Sequence, residues 1–136
     1  MTWTKHSYEF IVQETHLDGF GHMNNAVYLE IFENARWDFI TPRGFGYAKI
    51  QEIKMGPTIL DIHLQFKREL KLRDKIRIET CTLSYEGKIG TLEQRMFNEA
   101  GDLCTVMTMK MGLFDMNARK LISPTPEWLR AVGLEN

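Results

Sequence analysis

The 136 residues carry 17 Lys and Arg against 18 Asp and Glu, a formal charge of -1, with 43% hydrophobic and 26% charged residues. That balance excludes a disordered chain, and it supplies no overall field to attract nucleic acid or an anionic membrane, so any basic site must be local. The length suits one domain over residues 1–136 that can bury roughly two-thirds of its unfolded surface and fold without disulfides or a structural metal.

Residues 1–13 hold no basic segment followed by an unbroken apolar run, and nowhere do 18 consecutive apolar residues occur. The expectation is a soluble, cytoplasmic protein with no membrane partner. Tyr8, Phe10 and Val12 alternate with Glu9 and Gln13, which predicts a first strand with one buried face. The turn-rich run Asp18-Gly19-Phe20-Gly21-His22 follows. A helix is predicted from about Asn25 to Phe39, because Val27, Ile31, Ala35 and Phe39 recur at helical spacing and Tyr28 and Phe32 widen the stripe. Asn24 or Asn25 can cap it through a side-chain oxygen, and Pro42 and Gly44 stop it.

Residues 41–57 form a long connection of the kind that serves as a functional flap or contains a short extra helix. From Ile59 the period becomes two: Leu60, Ile62, Leu64 and Phe66 share one face, and Asp61, His63, Gln65 and Lys67 the other. Further strands are predicted over 75–84, 89–98 and 103–115, separated by Glu86-Gly87 and by Ala100-Gly101-Asp102. Within the first of these, apolar positions change phase between Ile78 and Cys81, which a bulge or burial on both faces would explain. Cys81 and Cys104 lie in strand-like stretches without CxxC spacing or a matching His pair, so neither a disulfide framework nor a zinc site is expected. Leu103, Met107, Met109, Met111 and Leu113 make an apolar, core-type face, and a short helix over about 127–132 should cover one edge.

One helix with a broad apolar stripe and a sheet with one apolar face are complementary, so the expected architecture is an α+β domain in which a five-stranded antiparallel sheet curls around the helix. Such an open sheet has free edges. Exposed final strands would then favour homo-oligomers formed by edge pairing or face packing.

Asp18 stands in a glycine-rich loop just ahead of a helix start, where free backbone amides carry partial positive charge. A carboxylate beside such amides suits acyl transfer: the amides polarise a carbonyl while the carboxylate activates water or attacks directly. Ordinary Asp-Gly turn chemistry gives the same spacing. His22 can act as a base or as a hydrogen-bonding residue. Asn24 and Asn25 can be caps or substrate contacts, and Tyr28 reads as a core aromatic whose hydroxyl needs a partner. Glu33 and Arg36, at i and i+3, are expected to pair on the helix surface.

The run from Asp18 through Gly21-His22, Asn24-Asn25 and Tyr28, followed by Glu33-Asn34-Ala35-Arg36, resembles the signature of the hotdog-fold thioesterases. With Leu29-Glu30 and Trp37-Asp38 it is similar to bacterial long-chain acyl-CoA thioesterases of the 4-hydroxybenzoyl-CoA thioesterase-like branch. The resemblance implies a long helix wrapped by a five-stranded sheet, a homodimer or homotetramer, active sites at the subunit interface, and an acyl-CoA substrate hydrolysed without metal or redox cofactor. It makes Asp18 the catalytic carboxylate, as nucleophile or general base, with amides around Asn25 to Tyr28 facing the thioester carbonyl. His22, Asn24, Asn25 and Tyr28 would contact substrate or shape the loop. Glu33 is a reserve acid, since related branches carry the acid on the helix.

An apolar tunnel lined by Phe20, Phe32, Ile59 and the methionine face would take the acyl chain. Lys67 and Arg68, at the start of the basic stretch ending at Arg77, are the best placed residues for coenzyme A phosphates. Two alternatives remain: hydration or dehydration of an acyl thioester, for which the Gly-Asp-x-Asn-Pro-x-His context is absent, and a non-catalytic acyl-thioester-binding protein. No nucleic-acid role is expected.

Overall fold

The computed structural model of the chain describes residues 2–135; Met1 and Asn136, the ends of the expected domain, lie outside the described residues. In chain order the elements are β1 (Thr2–Trp3), β2 (Lys5–Ile11), a 3-10 turn (Glu14–His16), α1 (Asn25–Ile40), a π-helical turn (Thr41–Phe45), α2 (Tyr47–Ile53), β3 (Met55–Phe66), β4 (Lys75–Glu86), β5 (Ile89–Phe97), β6 (Leu103–Asp115), β7 (Lys120–Ile122), α3 (Pro126–Ala131) and β8 (Leu134–Glu135).

The α1 helix starts where the sequence allows its first amides a partner: Asn24 Oδ1 accepts the Ala26 N–H at 2.9 Å. Its buried stripe is Tyr28, Ile31, Phe32, Ala35, Phe39 and Ile40, with Val27 half-buried. Pro42 does not stop it at once. A proline in the first turn of the following segment costs no intrahelical bond, so the chain continues through the π-helical turn until Gly44, at φ 97°, breaks it. The 41–57 connection then holds α2, a short extra helix.

The sheet is antiparallel throughout, in the order β2-β4-β5-β6-β3, with β7 pairing to β6 beyond the end of β5. The edges are therefore β2 and β3. This corrects the expectation of exposed final strands: β6 is interior, bonded to β5 and β3, because β3 inserts alongside it rather than beside β2.

Register assigns the faces. Met111, Met109, Met107 and Thr105 of β6 stand opposite Ile59, Ile62, Leu64 and Phe66 of β3, and those β6 residues are buried against α1. A bulge between Ile59 and Asp61 shifts the phase. Leu60 thereby leaves the face shared by Ile62, Leu64 and Phe66, contrary to the uniform alternation expected, and lies with Asp61, Thr91 and Lys110. In β4 the register shifts between Thr82 and Ser84, so a bulge at Leu83 brings Tyr85 to the inner face; Cys81 precedes it, half-buried on the outer face, while Thr80 and Thr82 continue the buried row of Ile76 and Ile78. Leu83 is left 43% exposed, while Tyr85 turns inward and its hydroxyl accepts the Trp128 indole N–H at 3.1 Å.

Between helix and sheet lies a buried polar junction. Gln94 donates to the Phe32 carbonyl at 3.0 Å and to Thr80 Oγ1 at 2.9 Å, and its Oε1 accepts from Arg36 Nη1 at 3.0 Å. Burial pushes the Arg36 guanidinium below its usual pKa, with nearby Glu33 acting the other way. Arg36 and Glu33 thus do not pair as a surface couple: Glu33 Oε2 accepts the Trp37 indole N–H at 3.2 Å. Among the described residues no helix is long and apolar enough to cross a membrane.

Candidate active site

The loop ahead of α1 is a miniature hairpin. Leu17 bridges Met23, the Asp18 N–H donates to the His22 carbonyl at 2.9 Å, and the Gly21 N–H donates to the Asp18 carbonyl at 3.3 Å. Gly21 makes this turn possible at φ 87°, a backbone shape that side chains disfavour. The Asp18 carboxylate does make the turn contact that Asp-Gly chemistry offers, accepting the Phe20 N–H at 2.8 Å through Oδ1. That bond orients the carboxylate and occupies one of its two oxygens.

The hairpin docks onto the connection between β3 and β4. Met23 N–H donates to the Leu70 carbonyl at 2.8 Å, His22 forms an isolated bridge with Lys71, and His22 Nε2 lies 2.9 Å from Glu69 Oε2. The same connection is tied to β6, since the Lys67 and Arg68 amides both donate to the Cys104 carbonyl, at 2.8 and 3.0 Å. Two distant stretches of sequence are thereby closed around one open cleft of about 600 Å³.

That cleft gathers seven of the residues singled out by sequence: Asp18, His22, Asn24, Asn25 and Tyr28 from the loop and helix start, Lys67 and Arg68 from the connection. At the helix start the Ala26 and Val27 amides are taken by Asn24, through its side chain and its carbonyl. The Asn25 amide has no acceptor among the described residues, which leaves one main-chain donor of the helix terminus for a ligand. Tyr28 is buried edge-to-face against Phe66, ring centres 4.9 Å apart. Burial raises its phenol pKa, and the Leu70 backbone and Thr105 hydroxyl partly counteract that; it stays a neutral hydroxyl.

The basic stretch divides cleanly. Lys71 meets Glu69, Arg73 meets Glu14, Lys75 meets Glu99 and Arg77 meets Glu79. Lys67 and Arg68 form no ion pair among the described residues, and they are the two that line the cleft. Sequence reasoning missed Glu69 and Phe66 as site residues. Glu69 had only its place between Arg68 and Lys71 to mark it, and its His22 partner is 47 positions away.

A second cavity of about 290 Å³ lies further along α1, lined by Phe39, Ile40, Ile59, Met109, Met111 and Trp128, with Glu33 and Arg36 at its polar side. Ile59 and two of the methionines occupy the places expected of an acyl-binding wall. Phe20 and Phe32 do not: Phe20 is 84% exposed at the cleft, and Phe32 is fully buried in the core. Glu33 lines this slot and not the cleft holding Asp18.

Residues 12–132 match the family model described as Thioesterase-like superfamily. The chain belongs to that superfamily. Among curated relatives, the long-chain acyl-CoA thioesterase FadM of Escherichia coli K12 is 33% identical over 84 residues, covering 61% of this chain and 62% of that protein. The chain spans less than two-thirds of the length of the curated relatives it matches.

Solved structures share the fold across nearly the whole chain. The Staphylococcus aureus protein SAV2348, determined in complex with CoA, superposes with a TM-score of 0.88 at 19% identity, covering 97% of this chain and 84% of that one. The probable thioesterase YbaW of Escherichia coli superposes with a TM-score of 0.84 at 24% identity, covering 95% and 97%. The superfamily member described here has the hotdog fold, its antiparallel sheet wrapped around α1.

Proposed function

We propose that the chain is an acyl-CoA thioesterase, acting as one domain over residues 1–136 in the cytoplasm. The observation that carries this reading is the shared cleft, lined by a carboxylate oriented by its own loop and, with no partner among the described residues, a helix-terminal amide and two cations. The FadM relative supports a fatty acyl substrate, and the CoA complex of SAV2348 supports a coenzyme A leaving group.

In this reading Lys67 and Arg68 take phosphates by charge-assisted bonds, and the Asn25 amide donates to the thioester oxygen as it gains charge. Asp18 then either removes a proton from attacking water or adds to the carbonyl itself, the anhydride so formed being opened by water. The C–S bond breaks, the thiolate is protonated, and acid and free thiol leave. The acyl chain runs between α1 and β3 toward the slot at Met109 and Met111. From Tyr28 to Arg36 the helix advances about 12 Å at 1.5 Å per residue.

The oligomer belongs to the same proposal. Ile59, Ile62 and Phe66 of β3 are 45%, 38% and 53% exposed on an unpaired edge, and a second copy seated there, as a homodimer or a pair of homodimers, covers them.

Asp18→Asn keeps an oxygen for the Phe20 amide but cannot act as base or nucleophile. Thiol release from a panel of acyl-CoA esters should fall by roughly 10²–10⁴-fold, with an unchanged melting temperature. Near-normal release by the folded variant would refute the assignment.

A further inference from the structure

We propose that Glu69 is a positioning residue for the Asp18 carboxylate, acting through His22 and Phe20; this rests on the thioesterase reading above.

The main-chain tethers of the loop fix its base. Met23 is bonded to Leu70 and His22 is paired with Lys71, but neither contact reaches the tip, residues 18–21, where Gly19 and Gly21 leave the backbone pliable. What the tip leans on is a ring. Phe20 stacks on His22 with centroids 6.3 Å apart and planes 17° apart, and the Phe20 N–H is the donor that orients Asp18 Oδ1. The far side of the His22 ring is set by Glu69, whose Oε2 lies 2.9 Å from Nε2. Glu69 Oε1 in turn sits 3.5 Å from Lys71 Nζ.

The contacts therefore run unbroken from Glu69 to His22, to Phe20 and to Asp18. Glu69 directly follows Arg68, so the segment offered to phosphates and the loop carrying the acid share one anchor. Substrate contacts far from the reacting carbon are thereby able to raise kcat and not only tighten binding.

An ion pair between half-exposed side chains adds little to global stability, so a role in positioning is separable from a role in folding. Glu69→Ala should lower kcat for acyl-CoA about tenfold with KM within about twofold, since small misplacements of a reacting group are costly. The melting temperature should not move. Glu69→Gln, which still offers Oε1 to His22, should recover most of the loss.

A second readout needs no turnover. In wild-type protein the Phe20 amide proton resonance should be displaced from its position in Asp18→Ala by the bond to Asp18 Oδ1, and in Glu69→Ala that shift should shrink by half or more. Wild-type kcat together with an undiminished Phe20 shift in Glu69→Ala would overturn the proposal, as would an effect confined to KM. If the wild-type protein released no thiol from any acyl-CoA, the thioesterase reading would fall by itself, and the Phe20 resonance would still decide whether Glu69 positions Asp18.

Discussion

At the scale of single residues, the polar junction at Gln94 is the place where the fold is most exposed to a one-atom error. The side chain is fully buried and uses both amide hydrogens and its oxygen, on Phe32, Thr80 and Arg36. Replacing it with leucine keeps the volume but strands a half-buried guanidinium and a buried hydroxyl. Gln94→Leu should cost roughly 2–3 kcal/mol, the penalty for polar groups left unpaired away from water, measured by urea unfolding. A loss below about 0.5 kcal/mol would mean that Arg36 finds solvent instead. This junction was not legible in the sequence. Gln94 alternates with Leu92 and Met96 as a core position should, yet its polarity argues for the surface, and nothing local says that Arg36 lies within reach across the helix–sheet boundary. The Glu33–Arg36 expectation failed for the same reason: i, i+3 spacing describes a free helix, whereas here the sheet draws Arg36 to Gln94 and Glu33 accepts from Trp37 one turn along the helix.

At the scale of elements, periodicity was a sufficient guide wherever one face meets the core and the other meets water. The α1 stripe and the β4–β5–β6 hairpins follow directly from it. It failed at the bulge in β3, where apolar residues run unbroken from Ile59 to Leu60, and in β4 it signalled a change of phase without placing the bulge, which falls at Leu83. The loop ahead of α1 was legible as a candidate site because its residue types are few and closely spaced; the opposing wall, Phe66 and Glu69, belongs to another stretch of the chain and is supplied only by folding. The helix start links stability to this site. Asn24→Ala removes the acceptor of the Ala26 amide and should cost about 1 kcal/mol of unfolding free energy. Because Asn24 also lines the cleft, the folded fraction of this variant should show reduced kcat/KM, whereas Thr125→Ala, which removes the equivalent cap on α3, should cost a similar amount of stability and leave kcat/KM unchanged.

At the scale of the whole molecule, the unusual feature is a 12-residue edge strand whose inward row is apolar and only partly covered. Natural sheets blunt such edges with charges, prolines or bulges. β3 carries Pro57 and the bulge at Leu60 in its first half, but the half from Asp61 to Phe66 runs regular and unprotected. The helix covers this row only in part: Tyr28 packs on Phe66, yet Ile59, Ile62 and Phe66 stay substantially exposed. In the proposed oligomer a second copy covers this row, and the same contact closes the groove between α1 and β3. Charge at the centre of the row should therefore act on assembly and activity together. In sedimentation velocity the wild-type protein should run at no less than twice the 15.9 kDa chain mass, and Ile62→Lys should shift it toward a single chain while its circular dichroism stays native. Thiol release should fall with it and recover at high protein concentration, where mass action restores the pair. A fully active Ile62→Lys monomer would show that the groove needs no partner and that the apolar edge serves something other than self-association.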